Sequence, residues 1–123
     1  SDNEIQWFSG KEDYTEGIHM LQQTYQIPLI LLSMGKDGSR AYYKDMLVEV
    51  PAFLQKNTIE TTGAGDTFGA CCLHHILKYG LDNLTKQQLK EMLTFANAAA
   101  SIITTRKGAL RVMPSLEEIQ RLL

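Results

Sequence analysis

The chemistry that this chain could perform is concentrated in Glu60-Thr61-Thr62-Gly63-Ala64-Gly65-Asp66-Thr67-Phe68. Thr62 suits an N-cap, after which Gly63, Ala64 and Gly65 offer unobstructed backbone N–H groups at the first turn of a helix. Such donors, with the positive end of the helix dipole, make a site for an anion. Glycine lets a phosphate approach the backbone without meeting a Cβ. Asp66 follows in the same turn. A carboxylate there can take the proton from a hydroxyl as that hydroxyl attacks a phosphoryl group, while the amides stabilise the charge on the group in transfer. Acidic residues also favour first turns because of the dipole, and glycines favour loop-to-helix joints. The pattern alone therefore leaves a purely structural reading of Asp66 open. It is neither a P-loop nor a Rossmann fingerprint, because the glycine spacing fits neither.

The elements that must position these residues are a helix, then strands, then helices. Ser9 to Glu12 has capping-box spacing, with Tyr14, Ile18, Leu21 and Tyr25 following at helical intervals and Pro28 as the stop. Leu29 to Ser33 is a continuous apolar run, which predicts a strand buried on both faces. Gly35 to Ser39 reads as a tight turn, and Arg40 to Lys44 and Leu47 to Val50 as half-exposed strands around Asp45, closed by Pro51. In the helix after Gly65, Phe68, Cys71, Cys72, His75, Ile76 and Tyr79 share one face, while Leu73 and Leu77 make the other side apolar. That predicts a largely buried helix, ended by Gly80. Thr85 with Gln88 forms another capping box ahead of the stripe Leu89, Met92, Leu93, Ala96, Ala100 and Ile103; Ser115 with Glu118 opens a closing helix.

Composition sets the outer bounds. The 123 residues are 44% apolar and 8% aromatic, the profile of one globular domain over 1–123 that needs neither disulfides nor metal to fold. Twelve basic against fourteen acidic residues give a net charge of −2, so no nucleic-acid footprint is expected. No apolar run is long enough for a membrane span, and the polar, acidic Ser1-Asp2-Asn3-Glu4 offers no secretory signal. Cys71 and Cys72 are adjacent and unsuited to bridging each other, so the expectation is a reduced, cytoplasmic protein in which they act as small buried hydrophobes. His74 and His75 point about 100° apart on a helix and cannot share a metal.

Thr61 to Phe68 resembles the carboxy-terminal signature of the ribokinase-like (pfkB) carbohydrate kinases, and the flanking segments resemble the family's in the same order. These are Ser33 to Ser39, a strand and turn near the ATP phosphates; Phe95 to Ala100 with Thr105 to Ala109, along the nucleotide base and a monovalent-cation loop; and Ser1 to Glu4 with Ser9-Gly10, the region of an Asn-x-x-Glu motif. Within the family the chain is most similar to bacterial fructokinases. The resemblance implies an α/β fold, the carboxy-terminal part of a three-layer α/β/α sheet domain within a longer chain. It implies ATP-dependent phosphorylation of a sugar hydroxyl, with Mg²⁺ and a K⁺ site. Fructose is the expected sugar, with ribose, 2-keto-3-deoxygluconate or a nucleoside as alternatives.

By the same resemblance Asp66 is the catalytic base, and Gly63, Ala64 and Gly65 are the anion hole. Gly35, Lys36 and Gly38 lie along the nucleotide phosphates and Asn97 near the adenosine. Backbone oxygens around Glu60, Thr62, Ile103, Arg106 and Gly108 form the cation loop, with Glu60 where an aspartate is usual. Glu4 matches the glutamate that influences magnesium, although Ser1 stands at the asparagine position. From the residues alone, Asn97 could equally satisfy a neighbouring backbone group, Lys36 could be merely solvated, and Ala98 to Ala100 suit close helix packing. Two further readings stay open for the isolated chain: a nucleotide- or anion-binding module without catalysis, and a homodimer formed through the sheet edge at Leu29.

Overall fold

Ser9 and Gly10, which the spacing marks as the start of a helix, instead finish one. In the computed structural model, which describes residues 1–55, 63–105 and 114–123, α1 (Asp2–Ser9) ends at Gly10 with a left-handed φ of 68°. Ser9 Oγ donates to the Ile5 carbonyl at 2.6 Å and accepts from the Lys11 amide at 3.1 Å. The cap of α2 (Tyr14–Tyr25) is Asp13, whose carboxylate accepts from the Glu16 amide at 3.1 Å. The expected box is displaced because a left-handed Gly10 terminates one helix and cannot lie inside the next. The two helices touch closely: a Cβ on Gly17 would lie 2.6 Å from Ser9 Oγ.

β1 (Leu29–Ser33), β2 (Ser39–Tyr43) and β3 (Met46–Val50) form an antiparallel meander in that order, with Leu31 opposite Ala41 and Ala41 opposite Val48. A 3₁₀ turn at Gly35–Asp37 joins the first pair, and Lys44 takes a left-handed φ of 53° in the second. The expected burial is reversed. β1 has only Leu32 buried, whereas Ala41, Tyr42 and Tyr43 of β2 are at most 1% exposed. Among the described residues β1 is an edge strand, while β2 is flanked on both sides and covered on both faces.

Alternation along the strands divides the core into two layers. Ala41, Tyr43, Val48 and Val50 pack against α3 (Ala64–Tyr79) and α4 (Lys86–Ile103) through Phe68, Cys72, Leu89, Met92, Leu93 and Ala96. Leu32 and Tyr42 face the other way, against Ile5 of α1 and Ile18 of α2. The result is the expected α/β/α sandwich. α5 (Leu116–Leu122) docks on Ala98 and Ala99 of α4 through Ile119. Of the three predicted capping boxes the later two form, at Thr85 with Gln88 and at Ser115 with Glu118.

α3 departs from the sequence reading in one respect. Phe68 and Cys72 enter the core, but Leu73 and Leu77 are 56% and 77% exposed, so the helix is buried on one face only. No described helix is long and apolar enough to cross a membrane.

Candidate active site

The first turn of α3 is built as the glycine pattern requires, with the cap one residue later than expected. Gly63, not Thr62, is the N-cap, and it adopts a left-handed φ of 84° that a side chain would strain. The Thr67 amide makes the first intrahelical bond, to the Gly63 carbonyl at 2.9 Å. The N–H groups of Ala64, Gly65 and Asp66 are therefore not spent within the helix. Among the described residues, a Cβ placed on Gly65 would meet no atom of another element within 4 Å, so their packing does not demand glycine there.

Beside Gly65 lies a cleft of about 300 Å³. Ser33, Gly35, Lys36 and Gly38 line it from the first turn of the sheet, and Ala64, Gly65 and Phe68 from α3. Asn97, Ala100, Ser101 and Thr104 close it from α4, and the strap after β3 supplies Ala52, Phe53, Leu54 and Gln55. The walls are mostly apolar, with polar groups at Lys36, Asn97, Ser101 and the open amides of α3. Such a cleft suits a flat apolar ring with an anionic tail.

Of the predicted residues, the fold brings together Gly35, Lys36, Gly38, Ala64, Gly65 and Asn97. Gly63 and Asp66 flank the Ala64–Gly65 pair, and Asp66 is exposed to solvent rather than folded into the core. Asn97 is 7% exposed, and its side-chain nitrogen donates to the Val50 and Pro51 carbonyls at 3.3 and 3.1 Å. The backbone-satisfying role left open for Asn97 is therefore occupied, while the residue still lines the cleft.

Other predicted residues lie elsewhere. Glu4 is on α1 and does not line the cleft; its exposed carboxylate accepts from the Ser1 hydroxyl at 2.9 Å. Ile103 is fully buried at the end of α4. Glu60, Thr62, Arg106 and Gly108 lie outside the described residues. Among the described residues no three His, Cys, Asp or Glu side chains converge on a metal position. His75 packs, with Nδ1 3.0 Å from the Cys71 carbonyl oxygen and its ring 5.2 Å from that of Phe95. Burial pushes the Cys72 thiol up to about 12 and raises Cys71 as well.

Sequence reasoning passed over the strap and the lower turns of α4. Ser101 and Thr104 continue the Asn97 face at four and seven residues, the helical spacing that puts side chains on one side.

Residues 1–116 match the family described as pfkB family carbohydrate kinase. Fructokinase of Klebsiella pneumoniae is 34% identical over 122 residues, which are 98% of this chain and 39% of that protein. Fructokinase-1 of Zea mays is 31% identical over 123 residues, 100% of this chain and 38% of that one. Among solved structures, Vibrio cholerae O395 fructokinase in its fructose, ADP and calcium ion bound form is similar at a TM-score of 0.86 and 26% identity, over 99% of this chain and 39% of the other. Arabidopsis thaliana ribokinase complexed with ribose and ATP shares the fold, with a TM-score of 0.80 at 24% identity, over 98% and 38%. The chain spans about two-fifths of the length of these relatives.

Proposed function

We propose, because the chain belongs to the pfkB family of carbohydrate kinases, that it forms the carboxy-terminal, nucleotide-holding and phosphoryl-transferring portion of a fructokinase-like sugar kinase. ATP is the donor and a sugar hydroxyl the acceptor. One observation carries the reading: the glycine turn at Gly35–Gly38 and the amides opening α3 line the same cleft, with Asp66 next to Gly65.

The roles follow from the chemistry of each group. The apolar walls at Phe53, Leu54, Phe68 and Ala100 take the nucleotide base, and Lys36 with the Gly35 and Gly38 backbone takes the phosphates. The amides of Gly63, Ala64 and Gly65 stabilise the negative charge that grows on the transferring group. Asp66, exposed and so able to meet a substrate hydroxyl, accepts its proton as that oxygen attacks. Magnesium, when bound, neutralises phosphate oxygens. It would arrive on the nucleotide, since the described side chains form no metal cage. Glu4, away from the cleft, could act on that ion only indirectly. A potassium ion would draw on main-chain oxygens about Glu60, Thr62, Ile103, Arg106 and Gly108.

Fructose is the proposed sugar, in keeping with the fructokinases among its relatives. Because the chain spans about two-fifths of those relatives, the 123 residues by themselves are proposed to bind nucleotide without turning over sugar. Calorimetric titration with ATP, ADP and sulfate in the presence of Mg²⁺, alongside a coupled phosphotransfer assay on fructose, tests both statements. Saturable heat without turnover is expected. Absence of heat with all three anions overturns the reading of the cleft.

A further inference from the structure

We propose that Asn97 is a positioning residue: it clamps the Val50–Ala52 main chain against Gly38 and thereby sets the spacing between two walls of the cleft. The consequence for nucleotide binding rests on the function proposed above; the clamp itself does not.

The side-chain nitrogen of Asn97 lies 3.3 Å from the Val50 oxygen and 3.1 Å from the Pro51 oxygen. Only the amino end of a carboxamide can donate to two carbonyl oxygens, so this network dictates the amide's orientation. Pro51 lies past the end of β3, where the ladder no longer supplies donors. Asn97 supplies them instead, from a position on α4 more than forty residues later in the chain.

The same stretch of main chain also lies close to Gly38. Gly38 has a φ of 93°, and a Cβ there would run into the Val50 oxygen, 2.9 Å from Pro51 Cα and 3.0 Å from Ala52 N. Val50–Ala52 thus meets both Gly38, which ends the turn bearing Lys36, and Asn97. It continues directly into Phe53 and Leu54, which wall the cleft. One helical turn beyond Asn97, Ser101 Oγ accepts from the Gln55 side-chain nitrogen at 3.2 Å and fastens the far end of the strap. Because Gly38 and Asn97 both meet the Val50 carbonyl, each should respond when the other is changed.

Amide spectra of the isotope-labelled chain, with ATP titrations, test this. Asn97→Asp keeps the side-chain size and removes the donors. It is expected to shift the Gly38, Ala52, Phe53 and Leu54 amides and to weaken ATP binding about tenfold or more. Asn97→His retains a ring N–H at similar reach and is expected to restore most of both. Gly38→Ala, whose Cβ would displace the Val50 oxygen, is expected to move the Asn97 side-chain NH₂ signals; this measurement stands even where Asn97→Asp fails to fold. Combined with Asn97→Asp it should cost less than the sum of the single changes. An unmoved Asn97 NH₂ pair in Gly38→Ala, or independent additive effects, overturns the proposal. A wild-type chain that binds no ATP removes the nucleotide reading, while the amide shifts still decide the clamp.

Discussion

The phenol of Tyr43 donates to the Leu81 carbonyl at 2.6 Å, so the central strand holds the loop that joins α3 to α4. The Leu84 amide reaches the same phenolic oxygen at 3.4 Å, and Lys44 Nζ donates to the Asp82 carbonyl at 2.8 Å. Tyr43 is 1% exposed. A buried side chain of the sheet thereby ties the carboxy-terminal end of the helix whose first turn carries Asp66.

Tyr43→Phe leaves the Leu81 carbonyl without its buried donor. The unfolding free energy is expected to fall by about 1–2 kcal/mol. Urea titration at constant pH measures it, and an unchanged midpoint would mean the loop is held by other contacts.

Gly65→Ala separates packing from ligand approach. With nothing among the described residues packed within 4 Å of the added Cβ, the variant should fold normally and gain about 0.5–1 kcal/mol of helix stability. ATP and sulfate, however, should bind more weakly, because the methyl group enters the cleft. Equal loss of stability and binding would argue that the glycine serves the fold.

Asp66→Asn keeps the shape of the side chain and removes its capacity to take a proton. ATP affinity of the chain is expected to stay within about twofold, while phosphotransfer by a kinase containing it slows by about 10²–10⁴. Retained turnover removes Asp66 from the role of base.

Cys72 makes stability depend on alkaline pH. Its thiol sits at about 12 in the fold against an ordinary 9.0, so the unfolded chain releases the proton first. Its contribution is complete below pH 9.0 and is lost as pH rises through that window toward about 12. The slope is about 1.4 kcal/mol per pH unit. Urea unfolding at pH 8, 9 and 10 should show wild type losing stability faster than Cys72→Val, and parallel curves would contradict the burial argument.

Leu77→Gln tests the open face of α3. With the side chain 77% exposed, stability should change by no more than about 0.5 kcal/mol. Leu93→Ala, in the fully buried stripe of α4, should cost about 2–5 kcal/mol. Similar losses in the two variants would mean that the outer face of α3 is covered in solution.

The elements legible in the sequence are those decided by local chemistry. Thr85 with Gln88, Ser115 with Glu118, and Gly80 mark helix ends because a hydroxyl, an amide or a missing Cβ acts within a few residues. The Ser9 box was misread because one left-handed glycine served the preceding helix. Burial was less legible. An apolar run at Leu29–Ser33 says nothing about which strands flank it, and apolar residues around α3 do not reveal that Leu73 and Leu77 are exposed. The glycine turn and the Gly63–Asp66 segment were legible because backbone access has a compositional mark. The strap carrying Phe53 and Leu54 was not, since its place depends on Asn97 and Gly38, far away in sequence.

Among the described residues each strand of the meander bonds to its neighbour in sequence. Closing such short turns costs little chain entropy, and hairpins of this kind assemble in about 1–10 μs. The sheet should therefore exist as a template before the later helices arrive, and the slow step of folding becomes the search by which α3 and α4 find its waiting surface.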